Sequence, residues 1–413
     1  MFHDMNERLK RALIILGFIL VTAGLAYLLY RVFFKPPAPA PLPTGEAIPT
    51  GVLPSAGKGA PKVGVPTPEA VGLPSAPEAA LPTLPAPPGA LPRTLVLRNE
   101  ITQNISGSPY GSGIRSYNPN DGKFYKILDD GTAIPMSDQT FFNADEVTWG
   151  KKTDQAVIQF PDGSKVLYDF QTQKQTTLPK HWDDFDFAPQ DDRVVVKSLG
   201  NNEDNRFLIT ASPDGTNGKI IESLGDNEDK VEVSWSPNNQ IVAFAATGEP
   251  LGFERQELLL LGQNHENFRG LVVEGRGFVP NWSPSGNNLL YSTYQAENGY
   301  RPTLWISGAS GDNVNANRRN IQVQTWADKC AWQSEASLIC AVPTSLGEGA
   351  GFQRTLFAGV ADNIVRINAS TGEVINLGQP DGNPSIQRMI LSPDGKYAYF
   401  NHAVSGRLIR FEL

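Results

Sequence analysis

Residues 235–246 read WSPNNQIVAFAA: an aromatic residue, a turn, then an apolar run. Pro237 fixes φ, and Asn238 and Asn239 tolerate left-handed backbone, so 236–239 reads as a tight turn. The alternation over 231–235 predicts one strand before it, and 241–246 predicts the next. After a long loop, 256–261 and 269–274 supply a third and a fourth. The same short pattern starts again at Trp149, Phe187, Trp282, Trp332 and Leu391. A repeat of about 40–50 residues holding several short strands is one blade of a β-propeller.

Six copies predict an all-β, six-bladed β-propeller. The last copy has room for only three strands before Leu413. Segments around 123–128 and 132–136 are free to complete its blade, and closing the ring in this way hides sheet edges. A count of seven arises if 113–137 forms a blade of its own.

Ser392-Pro393-Asp394-Gly395-Lys396, followed by Tyr-Ala-Tyr-Phe, and the Trp-Ser-Pro copies at 235 and 282 resemble the WD-like repeats of TolB-type β-propellers. The resemblance covers roughly 140–413. It implies the fold, but such repeats occur in scaffolds, receptors and enzyme accessory domains alike. TolB-type proteins carry a further domain before the propeller, and this chain has other features there.

Those features are an apolar segment and a linker. Residues 12–30 are uncharged and rich in Leu, Ile, Ala and Val, which matches a bilayer-spanning helix. Tyr27, Tyr30, Phe33 and Phe34 sit at its end as interfacial aromatics do. The only small-x-small cleavage pattern, Ala38-Pro39-Ala40, is followed by Pro41, which favours an uncleaved anchor over a signal peptide. Arg8, Lys10 and Arg11 precede the segment, and only Arg31 and Lys35 closely follow it, which points to a cytoplasmic N-terminus. Residues 36–92 hold about half of the 33 prolines. That composition predicts a disordered, polyproline II-rich tether, reaching about 180 Å if extended and about 40 Å as a coil. The expected organisation is a cytoplasmic tail (1–11), a transmembrane helix (12–34), a Pro/Ala-rich disordered linker (35–93) and an extracytoplasmic propeller (94–413).

The chain has 35 Lys/Arg and 43 Asp/Glu, and residues 1–93 hold eight and five of these. The propeller is therefore acidic and has no basic stripe, which excludes a nucleic-acid partner. His3, His181, His265 and His402 stand in no zinc-ligand spacing. No Gly-x-Ser-x-Gly elbow and no phosphate-binding glycine pattern occurs. The reading assigns no cofactor, no metal and no catalytic residue.

Strand alternation puts the loops between second and third strands on the same face as the connections between blades. Three neighbouring repeats share a motif in that loop: Gly252-Phe253-Glu254-Arg255, Gly299-Tyr300-Arg301 and Gly351-Phe352-Gln353-Arg354. Arg206 and Arg407 stand in the matching place in two others. Aromatic residues beside Arg are the composition of binding hot spots, so Phe253, Arg255, Tyr300, Arg301, Phe352 and Arg354 are the candidate binding residues. The structural alternative is that each Arg pairs with a neighbouring carboxylate and each aromatic caps its loop. Asp183, Asp184, Glu203, Asp204, Asp226, Glu228 and Asp229 should form a solvated acidic rim on the same face; their spacing fits no calcium loop. Cys330 and Cys340 flank a turn centred near Glu335, which sets them opposite each other as a candidate disulfide.

The expected function is a membrane-anchored binding or scaffold module of the cell envelope. Its partner would be another envelope protein or a cell-wall polymer. The alternative is an envelope hydrolase or lyase acting in the propeller channel.

Overall fold

The computed structural model describes residues 93–413 except 267, together with 18, 20–22, 24–25 and 27. The described residues of the N-terminal unit are helical and exposed, and Thr22 Oγ1 donates to the Phe18 carbonyl at 3.0 Å. Among the described residues no helix is long and apolar enough to cross a membrane. Most of 12–34, and all of the linker up to 92, lie outside the described residues.

From Thr94 onward the chain forms seven four-stranded antiparallel sheets, one blade each. The expected count of six is therefore corrected to seven. The missed blade is the first, with strands Gln103–Gly107, Ile114–Asn118, Lys123–Ile127 and Ala133–Pro135. It keeps Ser108-Pro109 but has Gly107 where the other blades place Trp, Phe or Leu before the turn. The segments at 123–127 and 133–135 thus complete their own blade. The seventh is closed instead by Thr94–Arg98, which pairs outside Leu408–Glu412 (Thr94 opposite Phe411, Val96 opposite Ile409). Arg93 fixes this joint by donating to the Glu412 and Leu377 carbonyls and lying over the Phe411 ring.

The middle strands read as unbroken apolar runs because each blade packs against two neighbours. In blade 4, Ile241–Ala245 is buried throughout: Ile241 and Phe244 pack with Leu289 and Tyr291 of blade 5, and Val242 and Ala245 pack with Val195 and Leu208 of blade 3. Seven such clusters close the ring, one at each blade junction.

The first turn explains the repeated sequence. Ser236 Oγ accepts from Ile241 N at 2.9 Å and donates to Asn238 Oδ1 at 2.7 Å. Ser392 repeats both contacts with Tyr397 N and Asp394. Asn239, Gly286 and Gly395 stand in the same place at φ 63°, 72° and 69°, a backbone that Asn and Gly adopt most readily. The ring before the turn ties blades together. Trp149, Trp282 and Trp332 each donate the indole N–H to the first strand of the preceding blade, at Asn104, Ser234 and Asn281. At the blade 1–2 junction, buried Arg115 supplies donors to Gly150, Thr153 and Ser106 and stacks on Trp149.

Candidate functional site

First strands run from one face of the ring, here the upper, to the other, so the Ser-Pro turns lie on the lower face. The upper face carries the second-to-third strand loops and the connections between blades. Eight large hydrophobic residues in loops are exposed among the described residues. Seven stand on the upper face (Ile101, Phe142, Leu251, Phe253, Phe352, Leu356 and Val404), and only Tyr110 stands on the lower. Buried apolar surface is worth about 25 cal/mol per Å², so this asymmetry gives one face a much greater capacity for association.

The three motif loops form a hydrogen-bonded row along blades 4 to 6. A Glu254 carboxylate oxygen accepts from Ala296 N at 2.8 Å, and the Gly299 and Tyr300 carbonyls accept from Gly349 N and Gly351 N. Phe253 stands free at 85% exposure, and Arg255 is exposed beside it. Tyr300 and Phe352 come together, with ring centroids 4.7 Å apart, and Tyr294 packs on Phe352 from the other side at 4.8 Å. Gly351 is required there, because a Cβ would meet the Tyr294 ring at 2.2 Å.

The arginines diverge. Arg301 crosses to blade 6 and donates to the Leu346 carbonyl at 2.8 Å. Arg354 pairs with Asp328 at 2.7 Å and lies over the Trp326 ring at 4.8 Å. Arg206 pairs with Glu228 at 2.8 Å and Asp226 at 3.5 Å. Arg206 and Arg354 thus pair with carboxylates, as in the structural alternative set out above, Arg301 bonds backbone carbonyls instead, and Arg255 is exposed.

The acidic groups divide. Glu203, Asp204, Asp226, Glu228 and Asp229 lie in upper-face loops, where an interaction with Asp226 pushes the Glu203 carboxyl up. Asp183 and Asp184 belong to the first strand of blade 3, Trp182–Phe187, and sit at the channel mouth. Lys197 reaches Asp184 at 2.8 Å, and Lys165 approaches Asp183 at 3.9 Å. Glu146 and Glu232 occupy the neighbouring first strands and line the same channel. Burial, then Asp184 and Asp183, pushes Glu146 up; burial, then Asp184, pushes Glu232 up to about 7. Glu232 is itself exposed, so solvent screens part of this effect. The channel comprises two adjoining cavities of about 720 and 760 Å³, and Arg388 lines both. No cluster of three or more His, Cys, Asp or Glu side chains suited to a metal ion occurs among the described residues.

Cys330 and Cys340 face each other on the first and second strands of blade 6 and are joined, with S–S 2.14 Å and Cα–Cα 4.0 Å.

Sequence reasoning missed several upper-face residues. Trp326, Asp328, Lys329 and Ser385 line a cleft beside Arg354, and Leu356 and Val404 flank it. The length of the 344–361 loop was the one available signal, because insertions of that size in a propeller serve either disorder or function.

No family model and no curated protein matches the chain, so the TolB-type assignment stays a resemblance. Solved structures match its fold. The β-propeller domain of Myceliophteria thermophila Cps50 (Swd1) is 10% identical, with a TM-score of 0.51 over 78% of this chain and 99% of that one. Oligogalacturonate lyase in complex with manganese is 10% identical, with a TM-score of 0.50 over 78% and 97%. The tricorn protease is 13% identical at 0.50; the match covers 78% of this chain but only 34% of that protein. The chain therefore spans about a third of the tricorn protease. At these identities the likeness is one of fold alone.

Proposed function

We propose that the chain is a membrane-anchored interaction module of the cell envelope that captures a protein partner on its upper face. The observation that carries this reading is the seven-to-one distribution of exposed hydrophobic loop residues between the two faces. Phe253, Arg255, Tyr300, Arg301, Phe352 and Arg354 belong to that face. Phe253 and Arg255 make the outward contacts, while Tyr300, Phe352, Arg301 and Arg354 hold the loops that present them. The acidic sector on blades 2 to 4 orients the partner by its charge. The 12–34 segment anchors the chain, the Pro-rich linker spaces it, and the propeller is extracytoplasmic. The chain enters the propeller at Arg93 on the lower face, which leaves the upper face unobstructed by the tether joint.

Two experiments test this. Protease added to intact, wall-stripped cells should release a fragment that begins in the linker; a fully protected propeller would refute the topology. A pull-down from native membranes with the full chain should lose its partner when Phe253, Leu356 and Val404 are replaced together by Ser. Undiminished capture would refute the binding face.

A second reading, a hydrolase or lyase in the channel, is favoured by one observation. Glu232 and Glu146 line one cavity of about 720 Å³, and Glu232, pushed up to about 7, has the proton affinity that a general acid–base needs. Turnover of an envelope polysaccharide that disappears in Glu232→Gln would establish it.

A further inference from the structure

The upper face contains one concave feature that the loop row does not explain. Between blades 6 and 7 a cleft of about 370 Å³ is lined by Trp326, Phe357, Ala358, Ile386 and Ala403, with Asp328 and Ser385 among its polar residues. Its size falls within the range of ligand pockets. Exposed Leu356 (72%) and Val404 (70%) are chain neighbours of the lining residues Phe357 and Ala403, so the cleft opens amid the most apolar part of the face.

Its polar chemistry is incomplete. Lys329 is spent on Asp362, with Nζ–Oδ1 at 2.6 Å and both side chains buried, and Asp362 also accepts from Ile386 N. Arg354 is spent on Asp328 Oδ2. Two oxygens remain: Asp328 Oδ1 and Ser385 Oγ are shut off from water and have no hydrogen-bond partner. Ser385 is itself only 2% exposed. An unpaired buried polar group costs about 1–3 kcal/mol, so such groups call for an explanation. Both belong to residues that line this cleft, and Asp328 borders the channel as well.

We infer that the cleft is the anchor pocket for a Trp or Tyr side chain of the protein partner, with the indole N–H or phenol O–H given to Asp328 or Ser385. This rests on the upper-face reading. The apolar walls match the ring, and the two acceptors match a side chain that has a single donor at its tip. Ser385 Oγ makes no side-chain hydrogen bond, so a change of staggered rotamer there breaks none and would let it accept from the guest. Arg354 and Lys329 at the wall disfavour a Lys or Arg guest by charge. Phe fits the walls but leaves both acceptors unpaired.

Ligand-observed NMR on the full chain in detergent tests this with N-acetyl-tryptophanamide, N-acetyl-tyrosinamide and N-acetyl-phenylalaninamide. The first two should bind, and the Phe probe should bind about five-fold more weakly, as loss of one hydrogen bond requires. Ser385→Ala removes no existing bond and should weaken the Trp probe by a similar factor unless Asp328 takes the donor. Asp328→Asn, which keeps an acceptor for Arg354, covers that case. Ala403→Phe should fill the cleft and abolish binding and partner capture together. Equal affinity for all three probes, no binding, or binding that survives Ala403→Phe in a folded protein would overturn the inference. If the probes fail while Phe253→Ser still abolishes capture, the pocket is wrong and the face reading stands. If the probes bind but capture ignores both Phe253→Ser and Ala403→Phe, both the anchor role and the face reading fall.

Discussion

On the lower face, Ser236 and Ser392 make the same pair of turn contacts in different blades, and Ser283 accepts from Asn288 N in the same way. On the upper face, three loops share a Gly-aromatic-Arg motif and make three different sets of bonds. Arg255 points to solvent, Arg301 staples blade 5 to blade 6, and Arg354 lies on Trp326 over Asp328. The lower turns satisfy their own polar groups, and the rings before them are buried (Trp149, Phe187, Trp235) or half-buried (Trp282, Trp332), so they are scaffold. The upper loops leave apolar side chains exposed and acceptor oxygens on Glu228, Glu254, Asp328 and Ser385 without hydrogen-bond partners, so that face has unused binding capacity.

The comparison breaks most readily at Trp235, which is 1% exposed and lies two residues beyond the first strand of blade 4. Trp235→Ala should cost about 3–5 kcal/mol in denaturant unfolding, the usual loss for a buried aromatic. A cost below about 1 kcal/mol would mean that the lower-face repeats are not the scaffold. Reducing Cys330–Cys340 should have a smaller effect, about 2–3 kcal/mol for so short a loop. Alkylation of both thiols in unfolded, non-reduced protein would show instead that the pair is not formed in the native molecule.

The upper face should then divide within itself. Phe352→Ala disrupts contacts with Tyr294 and Tyr300 and should cost about 1 kcal/mol, as expected for aromatic pairs. Phe253→Ala, at a position 85% exposed, should change stability by less than about 0.5 kcal/mol. If the two variants lose stability equally, Phe253 is packed and is not a free contact.

A last expectation concerns pH, where the exposure of Glu232 lets solvent screen much of the effect. Glu232 is pushed up to about 7 by burial and by Asp184, so the folded chain holds this proton where an unfolded Glu has released it. The stabilisation is complete below the ordinary Glu range and is lost as pH rises through about 7. Glu232→Gln should therefore flatten the fall in stability between about pH 4.5 and 7. If wild type and variant give parallel curves, the carboxylate is well hydrated.

The fold was legible in the sequence wherever the repeat was driven by local physics. The Ser-Pro turns and the rings before them recur because each blade needs the same left-handed turn and the same tie to its neighbour. Blade 1 was hidden because Gly107 replaces the ring and Arg115, from the second strand, does its work. The closing strand at Thr94–Arg98 was hidden because its partner lies at the far end of the chain. The upper-face arginines carry one motif with several fates, because a guanidinium's partner depends on which blade edge it meets. The cleft was illegible for a related reason: Trp326, Arg354 and Ser385 are separated in sequence and meet only at the junction of blades 6 and 7.

Site-specific photo-crosslinking in native membranes tests the central claim most directly. A photoreactive residue placed at 253, 356 or 404 on the upper face should give a discrete crosslinked partner, and one placed at the exposed positions 110 or 192 on the lower face should give none. A partner crosslinked from the lower positions and absent from the upper ones would contradict the account.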